Sequence, residues 1–566
     1  MKTSYVIKGL DLTPKPGKKY WKNCHREWRE EFIYFMLLDR FHDNKKRHPI
    51  PYEERHCGFG NETQLSSTCG GTLSGVTSHL DYIQDLGCTA LWLSPVFQNQ
   101  LGSYHGYAIN NYMEVDPRYG TKKDLEQLIE EAHKRDMRVF LDIVLHHSGD
   151  NWYYEGDYGC QYYNGIEFPF GGWRYDDLPQ PAELRNPALY GRKGQIRNFD
   201  TYPETYEGDF CGLKAFRNDG SPEAEFIQEL LTLIHCYWIR EVDVDGFRLD
   251  AVKHLDEMMI SRFCSSVREY AYSLGKKNFF LFGELIAGDA VHSRYMGPTL
   301  PVSRRDQNLY DGLNSVLDFQ LWAMLEGVIK GKDSPERLIE RYAALQQNAL
   351  NRGEFGEFLV TFLDNHDQVG QSFRRRFGYE AAPEQIIAGV GFLLCALGTP
   401  CIYYGTEQGL EGHGYNDTLI RECLFNPDDD ESNLLNSQSR IYKSIAKIAQ
   451  FRKTSPALKF GRMFMREISS DERRFHLPEC HRCTLAFSRI LFDQEVLVVF
   501  NSSEAETKDE CVLVDTVLNK DRKWMLPVYG IEDRIKIIHV GDEGDFSMSY
   551  VRLHLAPMQF MILKNY

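Results

Sequence analysis

The chain has 566 residues, enough for two to four domains or one large barrel with additions. With 42% hydrophobic and 26% charged residues, it has a globular composition and can bury a full core. A net charge of -16 argues against nucleic acid, which needs a basic face, and suits a neutral ligand.

The opening Met1–Lys8 holds no apolar run of signal-peptide length, and no stretch of the chain approaches a membrane span. Fourteen cysteines are scattered through predicted strands and helices, as at Cys88, Cys236, Cys395 and Cys401. That pattern suits reduced core thiols and a cytoplasmic protein with no membrane partner. Cys480 and Cys483 form a lone CxxC with no second pair, which reads as part of a β domain rather than a metal or redox motif.

Residues 1–27 are polar, rich in Lys and Pro, and read as an N-terminal arm. A repeating unit then begins. Phe32–Leu38 is a continuous apolar run, as a strand buried on both faces should be. Val76, Leu80, Ile83 and Leu86 follow helical spacing, and Gly87 closes that helix. Thr89–Leu93 predicts the next strand, Leu125, Leu128, Ile129 and Ala132 another helix, and Val139–Leu145 a third strand. Alternating strands and helices imply a parallel sheet.

The alternation breaks over residues 148–220, which are rich in Gly, Asn, Asp, Pro and aromatics and read as a small inserted domain. Trp152, Tyr153, Tyr154, Tyr158, Tyr162, Tyr163, Phe168, Phe170, Trp173 and Tyr175 lie there. Most should form the insert's own core, with one or two left to stack on a ligand. Ser221 and Pro222 then open a helix carrying Phe226, Leu230, Leu233, Ile234, Tyr237 and Trp238 on one face.

Further strands are predicted within Asp243–His254, as a short buried strand that ends in Arg248 and Asp250, and at Phe279–Glu284, Leu313–Phe319, Phe358–Leu363 and Pro400–Tyr404. That makes eight, so residues 28–147 and 221–455 should close into a (β/α)8 TIM barrel. A helix near 438–453 ends it. Residues 456–566 change to short alternating strands, clearest at Glu495–Phe500 and Met558–Leu563, and predict a C-terminal antiparallel β-sandwich.

A barrel of this kind carries its chemistry at the C-terminal ends of its strands. The polar residues there are Asp142 and His147 (third strand), Arg248 and Asp250 (fourth), Glu284 (fifth), and His366 and Asp367 (seventh). Arg248 and Asp250 are two apart, so they point the same way. One such pair reads equally well as a structural ion pair. Carboxylates on three neighbouring strand ends do not, because each buried charge costs several kcal/mol unless paired. Paired carboxylates suit glycoside cleavage. A metal hydrolase fits less well, because adjacent His146 and His147 face opposite ways and no HxH or HExxH spacing occurs.

Four segments resemble the signature regions of the α-amylase superfamily, glycoside hydrolase family 13. They are Asp142–His147, Gly246–His254, Gly283–Ile286 and Phe362–Asp367, in the family's order and spacing. Tyr104–Tyr107 and Tyr403–Gln408 are similar to two further family segments. The resemblance covers residues 28 to 455 and, more weakly, the β domain. It implies a retaining hydrolase of α-glucans or malto-oligosaccharides, with α-glucosidase, transglycosylase and sugar isomerase as alternatives in the same family. A non-catalytic sugar-binding relative is disfavoured, because all three carboxylates are present.

By that resemblance Asp250 is the nucleophile, Glu284 the general acid and base, and Asp367 the stabiliser of the transition state. Arg248 would hold Asp250 ionised. Tyr107, His105, Asp142, His147 and His366 would bind the cleaved sugar, and Lys253 and His254 the leaving-group side. The resemblance requires no cofactor but allows calcium. His146 stands where many members place a calcium-binding Asn, and imidazole is a poor calcium ligand. Asp209 is similar to a ligand-bearing position of the insert, and Asp39, with Asp43 and Asn44, could form a second metal site. Lys253–His254 is more similar to endo-acting α-1,4-glucan hydrolases than to α-1,6-glucosidases.

Overall fold

The computed structural model describes residues 9–22, 26–44, 68–100, 102–156, 160–299, 310–352, 359–425, 433–541 and 547–566. Met1–Lys8, Tyr158 and Phe358, on which sequence expectations fall, lie outside the described residues.

Eight parallel strands form the central sheet: β1 (Ile33–Met36), β2 (Ala90–Leu93), β3 (Arg138–Ile143), β4 (Gly246–Leu249), β5 (Phe280–Gly283), β6 (Ser315–Val316), β7 (Val360–Thr361) and β8 (Thr399–Tyr403). Their order is β6-β5-β4-β3-β2-β1-β8-β7, and a parallel bridge from Leu317 to Val360 joins β6 to β7 and closes the barrel. Every residue of β1 to β5 is buried, as their unbroken apolar runs require. The sixth and seventh strands are shorter than their apolar runs suggested.

The register sets the functional face. Gly246 pairs with Phe140 and Arg248 with Asp142. A Cβ at Gly246 would stand 2.2 Å from the Phe280 carbonyl oxygen and 2.8 Å from the Phe140 ring, so only glycine lets β4 run this close to its neighbours. That closeness places Arg248 beside Asp142.

The helix after β3, Pro222–Val242, begins as expected: Ser221 accepts from the Ala224 N–H, and Pro222 occupies the first turn. Leu230, Ile234 and Trp238 of its predicted apolar face are buried. The helix expected over Val76–Leu86 is two short helices, Leu73–Ser78 and Leu80–Asp85, broken at His79. His79 leaves helical geometry, with ψ 16°, and its Nδ1 lies 2.9 Å from the Gly75 carbonyl oxygen.

The arm lies across the N-terminal end of the barrel. The Trp21 N–H donates to Asp243 at 2.8 Å, and the Trp21 ring stacks on His133 at 4.3 Å. Asp243, Asp245, His133 and Lys276 form one network there, with Lys276 Nζ 2.6 Å from Asp243 and 2.9 Å from Asp245.

The insert leaves the barrel after β3 through a ribbon in which His147–Ser148 pairs with Lys214–Ala215. Trp152, Tyr154, Tyr162 and Tyr190 are buried in its core, whereas Tyr163 and Tyr175 are exposed. C-terminal strands form a nine-stranded antiparallel sheet around a second core that includes Leu497, Val512, Val551 and Leu563. That domain is bound to the barrel by Arg489, whose Nη1 donates to the carbonyls of Cys395 (2.8 Å) and Ala396 (2.6 Å).

Cys69 and Cys423 form a disulfide, against the expectation of reduced thiols throughout. They lie 354 residues apart, so no local pattern links them. Cys480 and Cys483 are free thiols. Among the described residues, no helix is long and apolar enough to cross a membrane.

Candidate active site

Arg248 organises the C-terminal mouth of the barrel. Its Nη1 stands 2.7 Å from Asp250 Oδ1 and 2.9 Å from Asp142 Oδ1, and its Nη2 stands 2.8 Å from Glu284 Oε2. One buried guanidinium therefore serves three carboxylates, and its planar fork is suited to doing so. Asp142 is filled by its neighbours: Arg248, the Tyr107 hydroxyl (2.9 Å) and the Trp92 indole N–H (3.0 Å). It was expected to bind sugar; instead both its oxygens are engaged by protein, and it anchors Arg248 and Tyr107.

The chain is strained where it leaves these strands. Ala251, directly after Asp250, has φ 51°, and Gln368, directly after Asp367, has φ 44°. Non-glycine residues reach this left-handed region only at a cost, and such strain gathers at functional sites. The turn at Ala251 aims its N–H at Glu284 Oε2, 3.3 Å away.

The three strand-end carboxyls differ in proton affinity. Burial pushes Glu284 up to about 8; Arg248 opposes this, and the nearby charges of Asp250 and Asp367 reinforce it. Burial also raises Asp250, to about 6, despite Arg248 and with help from Asp142 and Asp367. The sequence reading had Arg248 simply holding Asp250 ionised. In the structure that guanidinium is shared with two other carboxylates, so burial outweighs it. Asp367 goes the other way: burial would raise it, but His366, Arg421 and Arg248 together bring it down to about 2.

Around these carboxyls Tyr107 stacks on His366, with ring centroids 5.3 Å apart and planes within 11°. His366 Nε2 lies 3.1 Å from Asp367 Oδ2. His147 Nε2 lies 3.2 Å from the Tyr107 carbonyl oxygen, and His105 Nδ1 accepts from the Tyr107 N–H at 3.0 Å. Burial lowers all three histidines, to about 3 for His105 and His366 and about 4 for His147, so they are neutral near pH 7. These residues are brought together as the sequence suggested. Lys253 pairs with Asp200 of the insert, and His254 Nδ1 lies 2.7 Å from the Thr205 carbonyl oxygen. Both thus sit where the insert meets the barrel.

The expected metal positions do not fit calcium, which takes roughly six to eight oxygen ligands. Asp209 is spent on protein donors: the Tyr154 hydroxyl (2.6 Å) and the Ala215 N–H (2.9 Å). The positive charge at that joint is the Lys214 ammonium, 3.0 Å from Asp150, over the rings of Trp152 and Tyr154, and attracted to Asp209. Position 146 offers a ring that stacks on Phe210 at 4.6 Å. Asp39 likewise accepts from the N–H groups of Cys69 (2.8 Å) and Gly70 (3.0 Å) beside Arg40. Asn44 is exposed, and among the described residues no group of three or more His, Cys, Asp or Glu side chains is placed to hold a metal.

Sequence reasoning missed Arg421. Its Nη2 stands 2.6 Å from Asp367 and 2.8 Å from Asp417; its Nε donates to the His366 carbonyl, and its Nη1 to the Tyr104 hydroxyl at 3.0 Å. It lies in the irregular loop after β8, where no periodicity marks it. The one available signal was that a carboxylate in such a cluster needs its own cation.

The family model for the α-amylase catalytic domain matches residues 35–434. An α-amylase of Streptomyces lividans is 29% identical over 460 residues, covering 69% of this chain and 47% of its own length. The chain thus spans about half of that relative. A cyclomaltodextrin glucanotransferase of Klebsiella oxytoca is 26% identical, covering 86% of this chain and 72% of its own. Among solved structures, an Anoxybacillus α-amylase aligns with a TM-score of 0.69 at 25% identity, over 95% of this chain and 98% of that one. The match runs from within β1 through β8 and includes all three strand-end carboxyls, and the chain belongs to the α-amylase family of glycosidases.

Proposed function

We propose that this protein hydrolyses α-glucosidic bonds of α-glucans or malto-oligosaccharides with retention of configuration. The observation that carries the reading is the single guanidinium of Arg248 shared by Asp250 and Glu284, whose proton affinities are held apart. Two carboxyls on one guanidinium stand close together, in keeping with the spacing of a retaining pair, about 5–5.5 Å.

In this scheme Glu284, protonated near neutral pH, gives its proton to the glycosidic oxygen as the bond to the anomeric carbon breaks. Asp250, ionised, attacks that carbon; Arg248 holds Oδ1, leaving Oδ2 to form the glycosyl ester. A water then attacks the same carbon, its proton passes to the Glu284 carboxylate, and Asp250 leaves. Asp367, fully charged, faces the positive charge that develops on the sugar ring. Neutral His105, His147 and His366 suit an uncharged sugar beside the Tyr107 ring, and Lys253 and His254 take the leaving-group side. Lys214, paired with Asp150, helps to hold the insert to the barrel.

The test is incubation with soluble starch, maltotriose, pullulan and a cyclodextrin, with products separated by chromatography. Shorter malto-oligosaccharides of α configuration are expected. The likeness to a glucanotransferase favours transfer as the second reading, and products longer than the substrate would establish it. No product from any substrate would refute both.

A further inference from the structure

A cavity of about 480 Å³ opens beside the loop that follows β7, walled by Trp322 of the helix Phe319–Ile329 and by Val369–Gln371. Its volume lies within the range of small-ligand pockets, about 300–1,000 Å³. The loop carries Asp367 at one end and this wall at the other. Trp322 is half-buried and backed by Phe362, the ring planes 15° apart and the centroids 6.3 Å apart, so the indole is a braced surface rather than a free side chain.

The polar part of the lining is also fixed in place. Arg375 forks onto Glu326, with contacts of 2.9, 3.2 and 3.1 Å, and Lys330 adds a second cation on Glu326 at 2.8 Å. The Asp333 carboxylate lies against Gly327, where any Cβ would meet its oxygen at 1.9 Å. The Gln371 carboxamide oxygen has no hydrogen-bond partner. Two acids, Glu326 and Asp333, balance two bases, Lys332 and Arg375, so the lining favours neither anions nor cations. A flat indole, a locked guanidinium–carboxylate fork and an unpaired amide suit a neutral polyol with one apolar face. A hexopyranose unit has that chemistry.

We propose that this cavity is a second sugar-binding site that holds glucose units of an α-glucan whose other units lie at Asp250. The inference rests on the α-glucan reading above. The site would keep a long chain on the enzyme between cuts and leave short substrates unaffected.

The test is calorimetric titration of maltoheptaose into Asp250→Ala protein, with and without Trp322→Ala, alongside hydrolysis of a short chromogenic maltoside by the Trp322→Ala enzyme with Asp250 intact. The proposal expects two classes of site in Asp250→Ala protein. Trp322→Ala should weaken one class by at least about fivefold, while turnover of the short maltoside is kept. Gln371→Ala, which removes only an amide of the lining, should weaken the same class if Trp322→Ala does not fold. One class of site, unchanged by either substitution, would overturn the proposal, while continued cleavage of starch would leave the α-glucan reading standing. Failure of the unaltered enzyme to cleave starch would instead refute that reading and the proposal with it.

Discussion

Arg421 Nη2 stands 2.6 Å from Asp367 Oδ1, and both side chains are tied into the loops after β7 and β8. The contact joins a carboxylate at a strand end to a cation that no strand carries. Arg421→Ala would leave Asp367 in a buried cluster with two other acids, with only His366 and the more distant Arg248 to hold its charge. Its proton affinity should rise, and kcat/KM should fall by roughly 10²-fold, the cost of breaking a partly desolvated pair. Arg421→Lys should recover part of this, because a point charge replaces the fork. The check is a pH profile of kcat/KM: the acid limb should move up in Arg421→Ala. An unmoved limb and full activity would show that the pair has no part in catalysis.

The pH dependence of the unaltered enzyme follows from Glu284 and Asp250. Glu284 must carry a proton, so activity should fall as pH rises through about 8. Asp250 must be ionised, so activity should fall as pH drops through about 6. The profile should be a bell centred near pH 7, and stopped assays at constant ionic strength would trace it. Activity undiminished at pH 10 would contradict the role given to Glu284.

Glu284 also links activity to stability. Its folded-state proton affinity lies above that of an unfolded glutamate. The stability it supplies is therefore full below about pH 4.5 and is lost as pH rises toward 8. Glu284→Gln removes that loss, and should raise the melting temperature at pH 8 by an amount worth roughly 1–2 kcal/mol while abolishing starch hydrolysis. Differential scanning calorimetry at pH 5 and pH 8 would show the gain growing with pH. A gain at pH 5 equal to that at pH 8 would disprove the linkage.

Lys214 makes a prediction about metal. With an ammonium between Asp150 and Asp209, chelation with EDTA should leave the melting temperature unchanged. Lys214→Ala should destabilise the fold by roughly 3–5 kcal/mol, by leaving buried Asp209 without its cation, whereas Asp150 keeps Arg174. A melting temperature that falls in EDTA and returns with calcium would refute this account of the joint.

Much of the fold was legible because a parallel barrel writes itself as unbroken apolar runs. Phe32–Leu38 and Val139–Leu145 could hardly be anything else, and each ends in polar residues that belong to the active-site face. The four segments that resemble family regions also brought Asp250, Glu284 and Asp367 to one mouth. What could not be read is what depends on distant loops meeting. Cys69 and Cys423 pair across 354 residues, and Arg421 reaches Asp367 from an irregular loop. Asp209 had the look of a metal ligand because the sequence shows neither Tyr154 nor Ala215 beside it. The single helix drawn through Val76–Leu86 missed the break at His79, since the apolar spacing continues across it.

The covalent role of Asp250 is tested most directly by mass spectrometry of Glu284→Gln protein incubated with α-maltosyl fluoride. Fluoride leaves without a proton, so the glycosyl ester should form, and the missing base should slow its hydrolysis. The account predicts a maltosyl adduct on the peptide that contains Asp250, and none when Asp250→Asn is added. An adduct on Asp367, or β-maltose as the first product of the unaltered enzyme, would contradict it.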